Sequence, residues 1–447
     1  MTTTQKTPLN IILLYAIGQF GWSLATYSVS NLLNYFYLPP ETNAAPLFPA
    51  YIYQGSVLGI ATILGLIGFS GRFVDALIDP LVAAWSDRTQ SPLGRRRKFM
   101  LWGFVPLSLF AFLVFMPPIP YESVWNAVWL VVTLYAFYFS MSIYVTPYTA
   151  LISELAADSD QSLFISLVVS VTWALGFGLG NQIYVLQDYW LGYGYTVVQS
   201  FQLTIFLFSL FSLILMGLPS IFLNEARYCS QHATQKNAEE SIRSVLQNAN
   251  FRFFALSDLM YWLALTFIQM GMSYYLTVLL KMPSASVSGL LTLMLGLSFV
   301  FYAPVNLLAK KIGKKHLMML SFWAFAFIFF IISLLGKIPL SANAQALIIG
   351  LLASIPVAVF SILPNAVVAD IIRKDAQLTG DHKAGQFYAV RTFTMKVGVS
   401  LANFVFPSLL LLGKSTENDF GIRLTGITAA FFCMMGFFVF RKYKDDM

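Results

Sequence analysis

Gly71-Arg72-Phe73-Val74-Asp75-Ala76-Leu77-Ile78-Asp79-Pro80-Leu81, continuing through Ser86-Asp87-Arg88 to Gly94-Arg95-Arg96-Arg97-Lys98, is the stretch whose reading decides the fold. It closes an apolar run that starts at Tyr51, long enough for a helix that crosses a bilayer, predicted over 51–84. Asp75 and Asp79 stand inside that helix at i and i+4, which puts both carboxylates on one face, a turn apart. An ionised side chain at the bilayer centre costs about 2.5–3.5 kcal/mol on insertion scales, so two cost about 5–7 kcal/mol. The pair is therefore expected to face a watery or ion-bearing cavity. The Ser-Asp-Arg exit and the basic run after it mark the cytoplasmic end of the helix.

The rest of the chain reads the same way. Of its 447 residues 58% are hydrophobic and 11% charged, where a soluble protein carries about 25% charge. This is an all-α polytopic membrane protein. The net charge of +7 does not point to nucleic acid, because the cations cluster in short loops between apolar runs. Twelve spans are predicted, at 9–38, 51–84, 99–117, 123–151, 163–186, 200–223, 251–280, 286–309, 317–336, 344–371, 385–413 and 419–440. The longest polar stretch makes 224–250 a cytoplasmic linker between an N-terminal six-helix half, 1–223, and a C-terminal half, 251–447. With both termini inside, the outside loops hold only Lys281, Lys337, Lys414 and Arg423. Arg72, Arg391 and Lys396 fall inside spans, and the remainder of the 27 cations lie in inside loops.

An internal repeat supports two related halves. The basic, glycine-containing turn after span two is echoed after span eight by Ala309-Lys-Lys-Ile-Gly313-Lys-Lys-His316. Two related six-helix halves imply a binding site between them and alternating access by rocking. The proline-rich connector 39–49 is expected to be irregular. Cys229 and Cys433 are too far apart in kind and place to suggest a disulfide framework. His232, His316 and His382 show no metal-ligand spacing, and no phosphate-binding glycine loop is present. No cleavable leader is read at the N-terminus. Nothing here suggests an enzyme or a cofactor.

Intramembrane acids are functional by default, so Asp75 and Asp79 are candidate ligands for a cation or proton. Lys396 lies at mid-depth in span eleven, whereas for Arg391, one turn earlier, snorkelling or a loop contact is an equal alternative to a substrate role. Asp87, Arg88, Arg95 and Arg96 set the topology and are candidates for a cytoplasmic gate, with Glu154, Asp158, Asp370 and Asp375 as partners. Tyr27, Tyr144, Tyr148 and Trp173 are aromatic candidates for a substrate cavity, each with a packing role as the plain alternative. Gln269 and Asn365 are polar candidates, each with an interhelical bond as its alternative.

The pattern Asp-x-x-x-Asp-Pro followed by Ser-Asp-Arg-Thr-x-Ser-x-x-Gly-Arg-Arg-Arg resembles the glycoside–pentoside–hexuronide:cation symporters of the major facilitator superfamily. The resemblance is sharpest at 71–98, recognisable at Pro147-Tyr-Thr-Ala-Leu151, and present again from Gly385 to Lys396. It implies the major facilitator fold, with Asp75 and Asp79 as cation ligands, Ser142 as their hydroxyl partner and Lys396 as the coupling residue. Hard oxygen ligands suit Na⁺. The departures concern the sugar. Where the family commonly has acids in spans one and four, this chain has Ser23, itself a substrate-cavity candidate, and Val145, and span five has no arginine.

The expected function is Na⁺- or H⁺-coupled symport across the cell (inner) membrane, of a sugar or glycoside. The alternatives are a lysolipid or other amphiphile as substrate and, outside this class, a channel or a transporter-derived receptor. Apart from substrate, ion and surrounding lipid no partner is expected, and a single twelve-helix unit suffices to work as a monomer.

Overall fold

In hydrocarbon a backbone must satisfy its own N–H and C=O groups, so an apolar run long enough to cross becomes a helix. The computed structural model describes residues 6–42, 45–57, 59–228, 245–379 and 384–444. Cys229, His232, His382 and most of the 224–250 linker lie outside the described residues. Each of the twelve expected spans contains a long helix. They are α1 Leu9–Tyr37, α2 Ile63–Arg88, α3 Arg95–Leu113, α4 Val124–Leu155, α5 Ser159–Gly180 and α6 Val197–Phe222. In the second half they are α7 Ala249–Tyr274, α8 Ala285–Ile312, α9 Lys314–Ser333, α10 Ala342–Thr379, α11 Ala384–Leu410 and α12 Phe420–Arg441. A short helix, Ile183–Gly192, extends α5, and a π turn, Tyr275–Leu279, extends α7. Among the described residues ten helices are long and apolar enough to cross a membrane by length and composition alone, and α2 and α3 are not among them. Those two carry the charges of the 71–98 stretch.

One expectation is corrected at span two. The helix starts at Ile63, not at Tyr51. The residues before it form a small antiparallel pair, Ser56–Val57 with Ala61–Thr62, turned by Gly59 at φ 79°. A helix cannot pass through that turn, and apolarity alone had not distinguished buried loop from helix. The connector before it is also more ordered than expected, since Glu41–Thr42 pairs with Ala45–Pro46. Glu41 also meets Lys414, 3.0 Å away, whose ammonium donates to Gln54 Oε1 at 2.6 Å. Burial pushes the Lys414 ammonium below its ordinary range, and the Glu41 carboxylate opposes that shift.

The chain divides into two compact units. The first comprises Met1–Leu38, Phe48–Tyr53 and Val74–Thr234, and the second comprises Pro39–Leu47, Gln54–Phe73 and Gln235–Met447. This departs from a division at the linker alone, because the 39–47 and 54–73 segments group with the second unit. In the first unit α1 packs on α5 and α6, and α3 packs on α4 and α6. In the second α7 packs on α11 and α12, and α9 packs on α10 and α12. The same helix pairs recur six positions later, which is the structural form of the repeat read in the loops. Close approach within these pairs comes from small residues. A Cβ at Gly176 would stand 1.9 Å from Ser23 Oγ, and one at Gly180 would stand 2.4 Å from the Tyr27 ring. The α1–α4 contact is held by two reciprocal bonds of 2.7 Å, from Tyr15 Oη to the Tyr148 carbonyl and from Tyr148 Oη to the Tyr15 carbonyl. The two rings stack at 4.4 Å.

The repeat is closest at its two basic turns. Gly94 precedes α3 at φ 100°, ψ 149°, and Gly313 precedes α9 at φ 85°, ψ 150°. Side chains rarely adopt this conformation, so glycine is required. The first residue of α3, Arg95, pairs with Glu154 near the end of α4 at 2.8 Å. Likewise Lys314, the first residue of α9, pairs with Asp370 of α10. The Gly94→Ala variant is expected to lose about 1–3 kcal/mol to backbone strain, and its Cβ would also lie 2.2 Å from Glu225 Oε2. Gly192→Ala, with nothing within 4 Å of the added carbon, is expected to be near neutral. Thermal unfolding of both variants in detergent checks this, and equal melting temperatures would count against the requirement.

Candidate functional site

The carboxylates of α2 meet hydroxyls of α4 inside the first unit. Ser142 Oγ lies 3.0 Å from Asp75 Oδ1 and 2.8 Å from Asp79 Oδ1, and Thr146 Oγ1 donates to Asp79 Oδ1 at 3.2 Å. Asp75 is fully buried, Ser142 is 1% exposed, and Asp79 and Thr146 are half-buried. Local sequence explains the arrangement. Asp75 and Asp79 share a face of α2 through i, i+4 spacing, and Ser142 and Thr146 share a face of α4 through the same spacing. Beside them Ile78 and Val82 of α2, Phe99 of α3 and Ile143 of α4 pack into one apolar cluster. That packing fixes the two helices at hydrogen-bonding distance. Pro80 follows Asp79 directly and lacks the N–H that would bond the Ala76 carbonyl.

Ser142 has one hydroxyl hydrogen and two carboxylate oxygens within reach. It can donate to only one of them at a time. The second contact is favourable when a carboxyl proton donates to Ser142 Oγ, or when a cation sits among these oxygens. Four oxygens from three kinds of side chain therefore form a hard-ligand cluster. Thr146 was missed by the sequence reading. Its signal was there, one turn after Ser142 on the same face.

The residues proposed as a gate are joined to one another within the first unit. Arg96 is 7% exposed and reaches Ser86 Oγ at 2.6 Å, Glu154 at 3.1 Å and Asp87. Arg95 also pairs with Glu154. Arg88 is exposed at the end of α2. Of the expected partners, Glu154 pairs with both Arg95 and Arg96, because α4 ends beside the start of α3. Asp158 pairs with Lys6, and Asp370 with Lys314 and Arg373. Asp375 accepts from Asn248. The sequence reading gave Glu225 no role beyond the linker. Its carboxylate accepts from the backbone N–H groups of Arg95, Arg96 and Arg97 at 2.9, 3.0 and 2.8 Å. These are unpaired donors at the positive end of α3, where a carboxylate is favoured.

The substrate-cavity candidates divide. Ser23 and Tyr27 are buried in the α1–α5 seam, with Ser23 Oγ bonded to the Phe20 carbonyl at 3.0 Å and Tyr27 edge-on to Phe177. Tyr144 and Tyr148 are buried among α1, α3 and α6, where Tyr144 Oη donates to the Met216 carbonyl at 3.3 Å. These four side chains fill seams between helices, the packing role given as the plain alternative for the tyrosines. The glycines opposite leave them no room for anything else. Trp173 is half-buried and stacks on Phe177 at 4.3 Å. Gln269 is half-buried on α7, and Lys396 is buried on α11 in the second unit. Asn365 is exposed on α10 and accepts from Arg391, so Arg391 turns inward to protein and does not snorkel.

A helical bundle with paired six-helix repeats and a charged oxygen cluster inside one repeat defines a membrane transporter. The chain belongs to the MFS/sugar transport protein family, whose model matches residues 14–418. It is 21% identical over 420 residues to the isoprimeverose transporter of Lactiplantibacillus pentosus, covering 90% of this chain and 80% of that one. A segment of 159 residues is 28% identical to the uncharacterized symporter YnaJ of Bacillus subtilis, covering 35% of this chain and 29% of that protein. Among solved structures, the nucleoside transporter NupG superposes with a TM-score of 0.68 at 14% identity, covering 98% of this chain and all of that one. That likeness establishes the fold.

The geometry makes Ser142 the more critical hydroxyl. Ser142→Ala is expected to raise the half-saturating concentration of a stabilising cation at least about tenfold, the worth of about 1.4 kcal/mol. Thr146→Ala, which removes one bond to one carboxylate, is expected to raise it about two- to fivefold. Melting temperature titrated with Na⁺, Li⁺ and pH measures both. The order reversed would assign the bridging role to Thr146.

Proposed function

We propose that the protein is a cation-coupled symporter of sugars or glycosides that works by alternating access. The observation that carries the coupling is the Ser142 hydroxyl shared between Asp75 and Asp79. Two carboxylates that share one hydroxyl repel each other less when a positive charge joins them. Na⁺ or H⁺ supplies that charge from the outside and is released with the substrate inside. The ion is cargo here, and no cofactor is needed. One elementary charge moving through 100 mV is worth about 2.3 kcal/mol, which at about 1.4 kcal/mol per tenfold supports roughly fortyfold accumulation of a neutral substrate.

The sugar class follows from membership of the family and from the kinship with the isoprimeverose transporter. Lys396, a buried cation of the second unit, is the candidate for coupling ion to substrate. The lysine-rich and arginine-rich turns favour a cytoplasmic position for both termini and a place in the cell (inner) membrane.

Uptake into proteoliposomes tests the proposal. Isoprimeverose, a methyl glycoside, a pentose, a hexuronide and a lysophospholipid are offered with an inward Na⁺ gradient, with a pH gradient, or with neither. A sugar is expected to accumulate only under one of the gradients. Asp75→Asn is expected to abolish accumulation while the chain still folds, because the amide keeps the shape and removes the charge. Uptake of the lysophospholipid alone would replace the sugar by an amphiphile. Gradient-driven accumulation by Asp75→Asn equal to that of the wild type would end the coupling role of the pair.

A further inference from the structure

The connector between α1 and α2 is fastened by two different means. Its middle, Phe48–Tyr53, belongs to the first unit. Phe48 and Ile52 are each 1% exposed there, and Tyr51 is 4% exposed. The Phe48 ring meets those of Tyr35, Phe36 and Phe201, and Tyr51 stacks on Phe36 at 5.2 Å. The Tyr51 carbonyl accepts from Asn126 Nδ2 at 2.9 Å and from the Ser123 N–H at 3.1 Å. This anchorage is buried and largely apolar.

Pro39–Leu47 and Gln54 belong to the second unit, and their fastening is polar. Glu41 forms a parallel β-bridge with Ser415 of the α11–α12 loop. Its N–H donates to the Lys414 carbonyl at 3.2 Å, and its carbonyl accepts from the Thr416 N–H at 3.3 Å. The Lys414 ammonium then ties both arms of the connector, meeting the Glu41 carboxylate at 3.0 Å and Gln54 Oε1 at 2.6 Å. Glu41–Thr42 also lies against the π turn Tyr275–Leu279, and such turns recur at functional positions. The charge distribution puts both loops outside.

Chain length makes the two fastenings depend on each other. Tyr51 and Gln54 are three residues apart. At the other arm, Tyr37 Oη of the first unit donates to the Val114 carbonyl at 2.6 Å, four residues before Glu41. An extended residue spans about 3.3–3.6 Å, so these links reach at most about 10 and 14 Å. The connector has little slack. When two units rock, one of the fastenings has to yield. Burial of several aromatic side chains outweighs a partly exposed ion pair and a few hydrogen bonds, so the fastening at Lys414 is the one that opens.

We propose that Lys414, with Glu41 and Gln54, is an outer latch, fastened in this conformation and released each time the carrier opens to the outside. This assignment rests on the alternating-access reading and names a step that the reading leaves open. Lys414 acts on the balance between conformations, not on ion or substrate directly.

The test uses the full chain in proteoliposomes, with Cys229→Ser/Cys433→Ala as the background. Uptake of isoprimeverose, a methyl glycoside and a pentose is measured under an inward Na⁺ or proton gradient. Glu41→Cys/Ser415→Cys places two thiols at the β-bridge. Neighbouring strands stand about 4.8 Å apart, within the range of about 4.4–6.8 Å that a disulfide spans between Cα atoms. The oxidised protein is expected to lose at least about nine-tenths of its uptake, and dithiothreitol is expected to restore it. Both forms carry the same substitutions, so a folding defect does not imitate this result. Oxidised protein, its cross-link confirmed by mass, that takes up sugar as fast as the reduced form would show that the latch never opens, and would overturn the proposal. Lys414→Gln weakens the fastening without a cross-link. It is expected to lower the half-saturating outside sugar concentration about two- to fivefold, because more carriers stand open to the outside. The exchanged pair Glu41→Lys/Lys414→Glu is expected to reverse that shift. Lys414→Gln with a lower melting temperature but an unchanged half-saturating concentration would make the contact purely structural, and would also overturn the proposal. A wild type that takes up no sugar under either gradient would defeat the symport reading itself, and is recognised without any variant.

Discussion

Charge that enters a low-dielectric interior must be compensated there, and this requirement governs the arrangement of the polar residues. The carboxylates of α2 find their hydroxyl partners on α4. Asp258 of α7 finds Arg391 on α11. The N–H groups that open α3 find the carboxylate of Glu225 just beyond α6. In each case the partner lies on a different helix, so the pairing is also a packing instruction. A helix displaced by a turn would leave a charge unpaired, at a cost of several kcal/mol.

The two units solve the same problem twice. Each has a glycine in a conformation closed to other residues, followed by a cation that reaches an acid near the end of a neighbouring helix. The four helix pairings described for the first unit recur in the second. The polar interiors have nonetheless diverged. One unit holds two acids joined by hydroxyls, and the other holds an acid joined to an arginine.

Much of this was legible before any coordinates. Hydropathy located the spans because backbone satisfaction in hydrocarbon leaves little choice of structure. The spacing of Asp75 and Asp79 put them on one face, and a family resemblance singled out Ser142. Thr146 followed from the same i, i+4 rule and was overlooked. The start of α2 was misplaced because a buried apolar loop and an apolar helix have similar composition. Tyr27, Tyr144 and Tyr148 had cavity wall and packing as open alternatives, and with Ser23 they fill seams against glycines and other rings. Polarity in a span does not say whether the group faces a cavity or a neighbouring helix.

By itself the sequence determined that the chain spans a membrane many times, in two related halves, and that an acid pair in the second span needs a compensating partner. Periodicity and the cost of charge in lipid are local properties, so they can be read locally. The tertiary structure alone decided which groups answer one another. Asp258 with Arg391 lie 133 residues apart, and Glu225 with the start of α3 about as far. Contacts at such separations depend on how helices cross, and no local rule of spacing encodes them.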